Sequence, residues 1–184
     1  YDTTALKFGE QRSRNIAESV EELSRRNILM DGKRAESQIS EATKSLDNSI
    51  ANYGENSSSA LEAWKNLKGQ FSEVLAAGDS KYIDNAREIR AGLPNEPDMD
   101  LFLKNGDIVE VKNYDLKLLK NNVEELGKTK KEFGRKIDHL KSLYPNKNIE
   151  FAFVEIFPEN YGLADELFGD LLRSKDVTLY IVKR

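Results

Sequence analysis

Three charged side chains in two neighbouring predicted strands have the types and spacing for metal-assisted chemistry. Glu110 and Lys112 stand two positions apart in the apolar stretch IVEVK, so they share one face of a strand. Asp100 lies in the preceding stretch, DMDLFL. Charges on the face of a core strand are costly unless they have partners or a function. We therefore expect these three residues to form a site.

The register of the hairpin decides whether Asp100 joins Glu110. Asn105-Gly106 is a strong turn signal. A two-residue turn would pair Leu101 with Glu110 and put Asp100 on the opposite face of the sheet. A three-residue loop, with Gly106 left-handed in a bulge, places Asp100 opposite Glu110 and collects the apolar residues on the other face, so we favour it. These apolar residues are Leu101, Leu103, Val109 and Val111.

In that register two carboxylates face each other, with β-carbons about 5 Å apart. They repel each other and need either a raised pKa or a cation. Mg²⁺ or Mn²⁺ suits such oxygen ligands, can bind a phosphate oxygen and can lower the pKa of an attacking water. Lys112 can orient that water or stabilise charge in a phosphorane-like transition state. The alternative is a surface hairpin with ordinary Glu-Lys pairing.

The elements around the hairpin predict an α/β fold with a mixed sheet covered on both faces. The late strands are apolar on both sides, which favours parallel pairing. Residues 80–96 are ambiguous, because 82–83 can start a strand and 85–91 can form a helical turn. Ser59 and Glu62 form a capping box for the first helix of this region. The predicted helices are 59–77, 116–144 and 163–172, and the predicted strands are 98–104, 107–113, 149–156 and 177–182.

The residues before this region predict a helical hairpin over 16–53, interrupted at Asp31-Gly32. Its thin apolar stripe must pack on the rest of the chain or on a partner. We therefore divide the chain into a helical N-terminal extension, 1–56, and an α/β domain, 57–184.

Composition excludes several classes of site. The 184-residue chain has no Cys and one His, His139, which excludes disulfides, thiolate sites and zinc sites built from several His. No apolar run approaches the roughly 20 residues that cross a bilayer. The net charge of −4 argues against unselective nucleic-acid binding. Residues 112–147 nevertheless hold ten Lys or Arg against five Asp or Glu, a local balance of +5.

The hairpin resembles the PD-(D/E)xK nuclease superfamily, which has the restriction-endonuclease-like fold. The stretch PDMDLF at 97–102 resembles its acidic strand, and IVEVK at 108–112 resembles its E-x-K strand. The order helix, three strands, helix, strand is similar to the family core. The resemblance implies a metal-dependent phosphodiesterase acting on DNA or RNA, in which Asp100 and Glu110 bind the metal and Lys112 is the catalytic lysine.

Two further acids follow from the resemblance. Asp98 matches the literal PD, but the register favours Asp100, so Asp98 is the reserve candidate. Many members add an acid from the first core helix, and the segment GQFSE at 69–73 looks like that segment. Helical phase points Glu73 away from the stripe formed by Trp64 and Phe71, so an exposed helix charge is the alternative.

Basic residues of the long helix are candidates for binding the phosphate backbone, with solvated helix charge as the alternative. Tyr114, just past the motif, can stack on a base or cap the sheet. The basic candidates are Lys128, Lys130, Lys131, Arg135 and Lys136.

Three functions are compatible with these features. The first is an Mg²⁺- or Mn²⁺-dependent endonuclease, with DNA slightly favoured, acting in the cytoplasm. The second is a tRNA-cleaving toxin domain of a larger secreted protein, delivered into a target cell and neutralised by an immunity protein. The start at Tyr1 rather than Met and the helical segment ahead of the core resemble the layout of contact-dependent inhibition and other polymorphic toxins. The third is an inactive module that binds nucleic acid or protein.

Overall fold

The structure is a computed structural model that describes residues 10–91, 99–154, 160 and 162–183. Within these residues there are six helices and seven strands. The helices are α1 (Glu10–Arg25), α2 (Ala35–Tyr53), α3 (Ser58–Ala77), α4 (Leu116–Lys120), α5 (Val123–Leu143) and α6 (Leu163–Ser174). The strands are β1 (Leu29–Met30), β2 (Lys33–Arg34), β3 (Ala86–Ala91), β4 (Met99–Leu103), β5 (Ile108–Lys112), β6 (Ile149–Val154) and β7 (Thr178–Val182).

All seven strands belong to one mixed sheet in the order β2-β1-β3-β4-β5-β6-β7. Strands β3, β4 and β5 form an antiparallel meander, and β5, β6 and β7 are parallel. The parallel pairs need crossover connections, which α5 and α6 provide. The predicted α/β class and the parallel late strands are therefore confirmed.

The sheet separates two hydrophobic cores. On one face α1, α2 and α3 pack against side chains such as Leu101 and Val109. On the other face α4, α5 and α6 cover Ile108 and Phe151, with Phe133 of α5 at the centre of this second core. A fully buried side chain of this size contributes about 1.5–3 kcal/mol. Strand β5 lies in the middle of the sheet, so both of its faces are covered.

The N-terminal hairpin packs on the rest of the chain. Ile16 and Leu23 of α1 and Ile39 and Leu46 of α2 are buried in the same core as α3. The break at Asp31-Gly32 is a short β-turn between β1 and β2, and β1 pairs parallel to β3. The described part of the extension thus shares a core and a sheet with the residues that follow. The division at residue 56 stays a prediction about domain organisation.

Several predicted boundaries are wrong for local reasons. Helix α3 is capped by Ser57, whose side chain accepts from the Ala60 amide over 3.1 Å, rather than by Ser59. In the ambiguous segment residues 82–83 lie in a turn, and Ala86–Ala91 form a strand, β3, where a helical turn was one of the two possibilities. There the backbone pairing with β4 outweighs local propensity, since the sequence NAREIRA is too charged to read as a strand.

The long helix predicted from residue 116 is two helices. Asn122 ends the connection after α4 and caps α5 by accepting from the Glu125 amide over 3.1 Å. None of the helices in the described ranges is long and apolar enough to cross a membrane.

Candidate active site

The β4–β5 hairpin has the register that brings two acids together. Leu101 is opposite Val109 and Phe102 is opposite Ile108. Continued by one residue, the same register places Asp100 opposite Glu110. The three-residue loop that sets it is confirmed, and the two-residue turn is wrong.

Gly106 ends this loop in the left-handed region, with φ of +88°. Its amide donates to the Leu103 oxygen over 2.9 Å, and the Leu103 amide donates to the Asp107 oxygen over 3.0 Å. A residue with a β-carbon is strained at this φ. The glycine therefore favours the three-residue loop, which goes with the register that brings the two acids together.

Glu110 is a completely buried carboxylate, with an exposed fraction of 0%. Within the described residues neither of its oxygens accepts a hydrogen bond of good geometry. Two ammonium groups lie beside the same oxygen, Oε2. The distances are 2.9 Å from Lys136 Nζ and 3.7 Å from Lys112 Nζ. Charge compensation at Glu110 is therefore present, but it is provided by flexible side chains.

The two lysines do not fully offset the cost of burying the Glu110 carboxylate. Burial raises the pKa of Glu110 to about 7, and the charge of Asp100 adds to the rise, while Lys136 and Lys112 oppose it. The desolvation cost thus exceeds the attraction of the two lysines. A carboxylate in this condition has a strong electrostatic reason to bind a cation.

Asp100 is half-buried and is held by the neighbouring strand. Its Oδ2 accepts from the Val111 amide over 2.8 Å. A charge-assisted bond of this length holds the carboxylate in place beside Glu110.

Lys112 lies on the same face of β5 as Glu110, inside an aromatic pocket. Its Nζ is 5.2 Å from the centre of the Phe133 ring and 5.5 Å from that of Phe151. Cation–π contacts of this kind favour the charged amine and restrict its movement. Only 16% of the side chain is exposed. Lys112 therefore has little freedom to leave the site.

Glu73 is buried, and the alternative of an exposed helix charge is wrong. Its carboxylate accepts two hydrogen bonds from Arg90, at 2.6 Å from Nε and 3.0 Å from Nη2. Helical phase misled the prediction because the last two turns of α3 are buried on all sides. The described structure does not bring Glu73 into the acid pair. Asp98 lies outside the described residues.

The basic candidates of α5 do not form one surface. Lys136 lies in the site, whereas Lys128 is exposed and paired with Glu124 at 3.6 Å. Lys131 and Arg135 are on the solvent side. At 100° per residue Lys130 is about 120° around the helix from Lys136, on its other flank. The structure therefore joins only one of the five candidates to the acid pair.

Sequence reasoning missed the polar contacts that hold the end of β5. Asn113 donates from Nδ2 to Ser72 Oγ over 2.6 Å, and Ser72 Oγ donates to the Lys68 main-chain oxygen over 2.9 Å. This links the residue after Lys112 to helix α3. The available signal was the presence of Gln70, Ser72 and Glu73 in an otherwise apolar helix end.

Tyr114 follows Asn113 at the rim of the site. Its ring centre is 5.8 Å from that of Phe133, and the residue is 38% exposed. Burial of its hydroxyl raises the pKa of Tyr114; the charges of Glu132 and Asp100 add to the rise, and Lys136 opposes it. An aromatic ring is thus partly accessible near the acid pair.

The donor set suits a hard divalent cation. Glu110 contributes two buried oxygens without good hydrogen bonds, and Asp100 contributes a second carboxylate. Oxygen-only donors of this kind are preferred by Mg²⁺ and Mn²⁺. No group of three or more His, Cys, Asp or Glu placed to hold a metal occurs in the described parts of the chain. Because Mg²⁺ commonly binds one or two carboxylates and keeps several waters, two carboxylates suffice.

Comparison with family models, with curated proteins and with solved structures gives no match to this chain. The site must therefore be argued from its own geometry.

Proposed function

We propose that this protein is a metal-dependent nuclease that hydrolyses phosphodiester bonds of nucleic acid, with DNA slightly favoured. The observation that carries the proposal is the buried Glu110, opposite Asp100 in the hairpin register and beside Lys112. The order α3, β3, β4, β5, α4, α5, β6 supports it, because it differs from the order that the resemblance to the restriction-endonuclease-like core implies only by the short helix α4.

In this proposal Asp100 and Glu110 hold Mg²⁺ or Mn²⁺. The bound ion would supply positive charge to a phosphate oxygen and lower the pKa of the attacking water. Glu110 has an oxygen to offer, because Oε1 has no hydrogen-bond partner within the described residues, whereas Oε2 contacts Lys136 and Lys112. Asp100 stays aligned because the Val111 amide holds one of its oxygens.

Lys112 assists the attack from a fixed position. Its ammonium, which lies over the rings of Phe133 and Phe151, can donate hydrogen bonds that orient the attacking water. The same charge can stabilise the negative charge that develops on the phosphate. The aromatic walls lower the local dielectric, which strengthens both interactions.

The test is incubation of the chain with plasmid DNA and with total tRNA, in Mg²⁺, in Mn²⁺ and in EDTA. We expect cleavage with a divalent ion, none in EDTA, and none by Glu110→Gln or Lys112→Met. Glu150→Gln is the matched control, because Glu150 is a largely buried acid on β6 that is paired with Lys81 at 2.7 Å. Cleavage that persists in EDTA or in the Glu110 variant would refute the mechanism.

The same assay separates the alternatives. Cleavage confined to tRNA would favour the toxin domain, for which a cognate immunity protein is the expected partner. Binding of both nucleic acids without cleavage of either would favour an inactive binding module. The presence of Asp100, Glu110 and Lys112 together argues against the inactive module, because a structural site has no need for all three.

A further inference from the structure

Lys136 is placed to do more than contact the phosphate backbone. Its Nζ is 2.9 Å from Glu110 Oε2, closer than Lys112 Nζ at 3.7 Å. It comes from α5, which packs over the β5 face that carries Glu110. Two cations from two elements thus meet at a single carboxylate oxygen.

Charge balance explains this arrangement. Asp100 and Glu110 carry two negative charges, and Lys112 and Lys136 carry two positive charges, so the group is neutral without a metal ion. A divalent cation on Glu110 would add two positive charges beside an ammonium that already contacts Oε2. Like charges this close repel strongly in a buried site. A metal ion held by Oε2 therefore requires one lysine to leave that oxygen.

The surroundings of the two lysines show which one leaves. Lys112 is 16% exposed and its ammonium lies over the rings of Phe133 and Phe151, whereas Lys136 is 31% exposed. A long, partly solvated lysine stem can change its position at low cost. Lys136 is therefore the mobile cation of the pair.

We propose that Lys136 is an exchangeable counter-ion: it neutralises Glu110 before metal binding, and the divalent ion displaces its ammonium onto the substrate phosphate. This rests on the proposed function, because it assumes that Asp100 and Glu110 bind the metal. It makes Lys136 a competitor of the metal and a ligand of the substrate. Loss of its charge then affects metal affinity and cleavage in opposite directions.

The experiment compares Lys136→Met with the wild-type chain at about pH 8 and again at about pH 9, because loss of Lys136 raises the pKa of Glu110 and its protonation would otherwise mask a gain in metal affinity. Methionine keeps an unbranched stem and removes the charge. Isothermal titration calorimetry with Mn²⁺ alone measures metal affinity, and cleavage is measured at saturating Mn²⁺. We expect Mn²⁺ to bind about tenfold more tightly to the variant and cleavage to slow by about tenfold or more.

Two further variants make the test specific. Lys141→Met is the matched control, since Lys141 is half-exposed in the last turn of α5 and is not one of the phosphate candidates, and it should change neither quantity. Lys136→Arg keeps the positive charge and should keep a Mn²⁺ affinity close to that of the wild type. Thermal unfolding of each variant verifies that it is folded.

The outcomes separate this proposal from the proposed function. Unchanged or weaker Mn²⁺ binding by Lys136→Met, in a chain whose wild type cleaves, overturns the counter-ion role alone. Tighter binding with an unchanged cleavage rate overturns the contact with the phosphate. A wild-type chain that cleaves no nucleic acid in any metal defeats the proposed function, while the Mn²⁺ affinities still test the exchange.

Discussion

Two buried glutamates of this protein have different kinds of cationic partner, an arginine in one case and two lysines in the other. Glu73 is paired with Arg90 through two hydrogen bonds of 2.6 and 3.0 Å. Glu110 has two lysines at 2.9 and 3.7 Å, no hydrogen bond of good geometry within the described residues, and Asp100 nearby. A planar guanidinium satisfies a carboxylate completely, whereas ammonium groups on flexible stems can be exchanged. The difference distinguishes a structural ion pair from a site open to another cation.

The largest expected effect is on cleavage by Glu110→Gln. The amide keeps the size of the side chain but cannot bind the metal as an anion, so we expect the rate to fall by about a thousandfold or more, roughly 4 kcal/mol. Single-turnover cleavage of the preferred nucleic acid measures the loss. Glu150→Gln should stay within about twofold of the wild type. A Glu110 variant that cleaves as fast as this control would contradict the site.

The next effect is on stability, through Arg90→Met. Removing the guanidinium leaves Glu73 buried without its partner, so we expect a loss of about 3–5 kcal/mol in the free energy of unfolding. Urea denaturation gives the value. Arg87→Met, on the same strand but exposed, should cost less than about 1 kcal/mol. Equal losses of stability in the two variants would show that the Glu73–Arg90 contact is not a structural ion pair.

The third effect is the pH dependence that Glu110 imposes. Between 4.5, the ordinary value, and about 7, the folded chain retains the Glu110 proton that the unfolded chain releases. Stability from this group is therefore present below about pH 4.5 and lost as pH rises through this window, by about 3 kcal/mol in all.

In Glu110→Gln the side chain cannot ionise, so the free energy of unfolding does not fall with pH for this reason. In EDTA, the free energy of unfolding of the variant should match that of the wild type near pH 5 and exceed it by about 2–3 kcal/mol near pH 8. Urea denaturation of both proteins at the two pH values gives the difference, in which the other titrating groups largely cancel. A difference that does not change with pH would mean that Glu110 is fully compensated, as Glu73 is.

The smallest effect concerns the loop that sets the register. Gly106→Ala places a β-carbon at φ of +88°, which costs about 1 kcal/mol. The buried pairs of the hairpin keep the register, so cleavage should change little. Gly127→Ala is the control with the opposite expected effect. Gly127 lies in α5 with open space around it, so the alanine should stabilise the protein by about 0.5–1 kcal/mol. Thermal unfolding measures both.

The hairpin could be predicted because short-range rules determine it. Alternation placed Glu110 and Lys112 on one face, and a glycine able to adopt positive φ decided between two registers. The apolar residues had to share a face, and only the three-residue loop achieves this. None of these arguments needs knowledge of the rest of the chain.

The remaining parts depend on contacts between distant elements. Strand β3 is charged along its length and becomes a strand only between β1 and β4. Glu73 is buried because other elements enclose the end of α3 on all sides, which the period of one helix does not reveal. Lys136 was one of five basic candidates, and only the packing of α5 on the sheet shows that it meets Glu110.

The most direct test of the central claim is a titration of Mn²⁺ into the wild type, Glu110→Gln and Glu150→Gln, followed by calorimetry. The account predicts saturable Mn²⁺ binding by the wild type and by the Glu150 control, and a loss of about a hundredfold or more in affinity for Glu110→Gln. Equal Mn²⁺ binding by all three proteins, or none by the wild type, would contradict it.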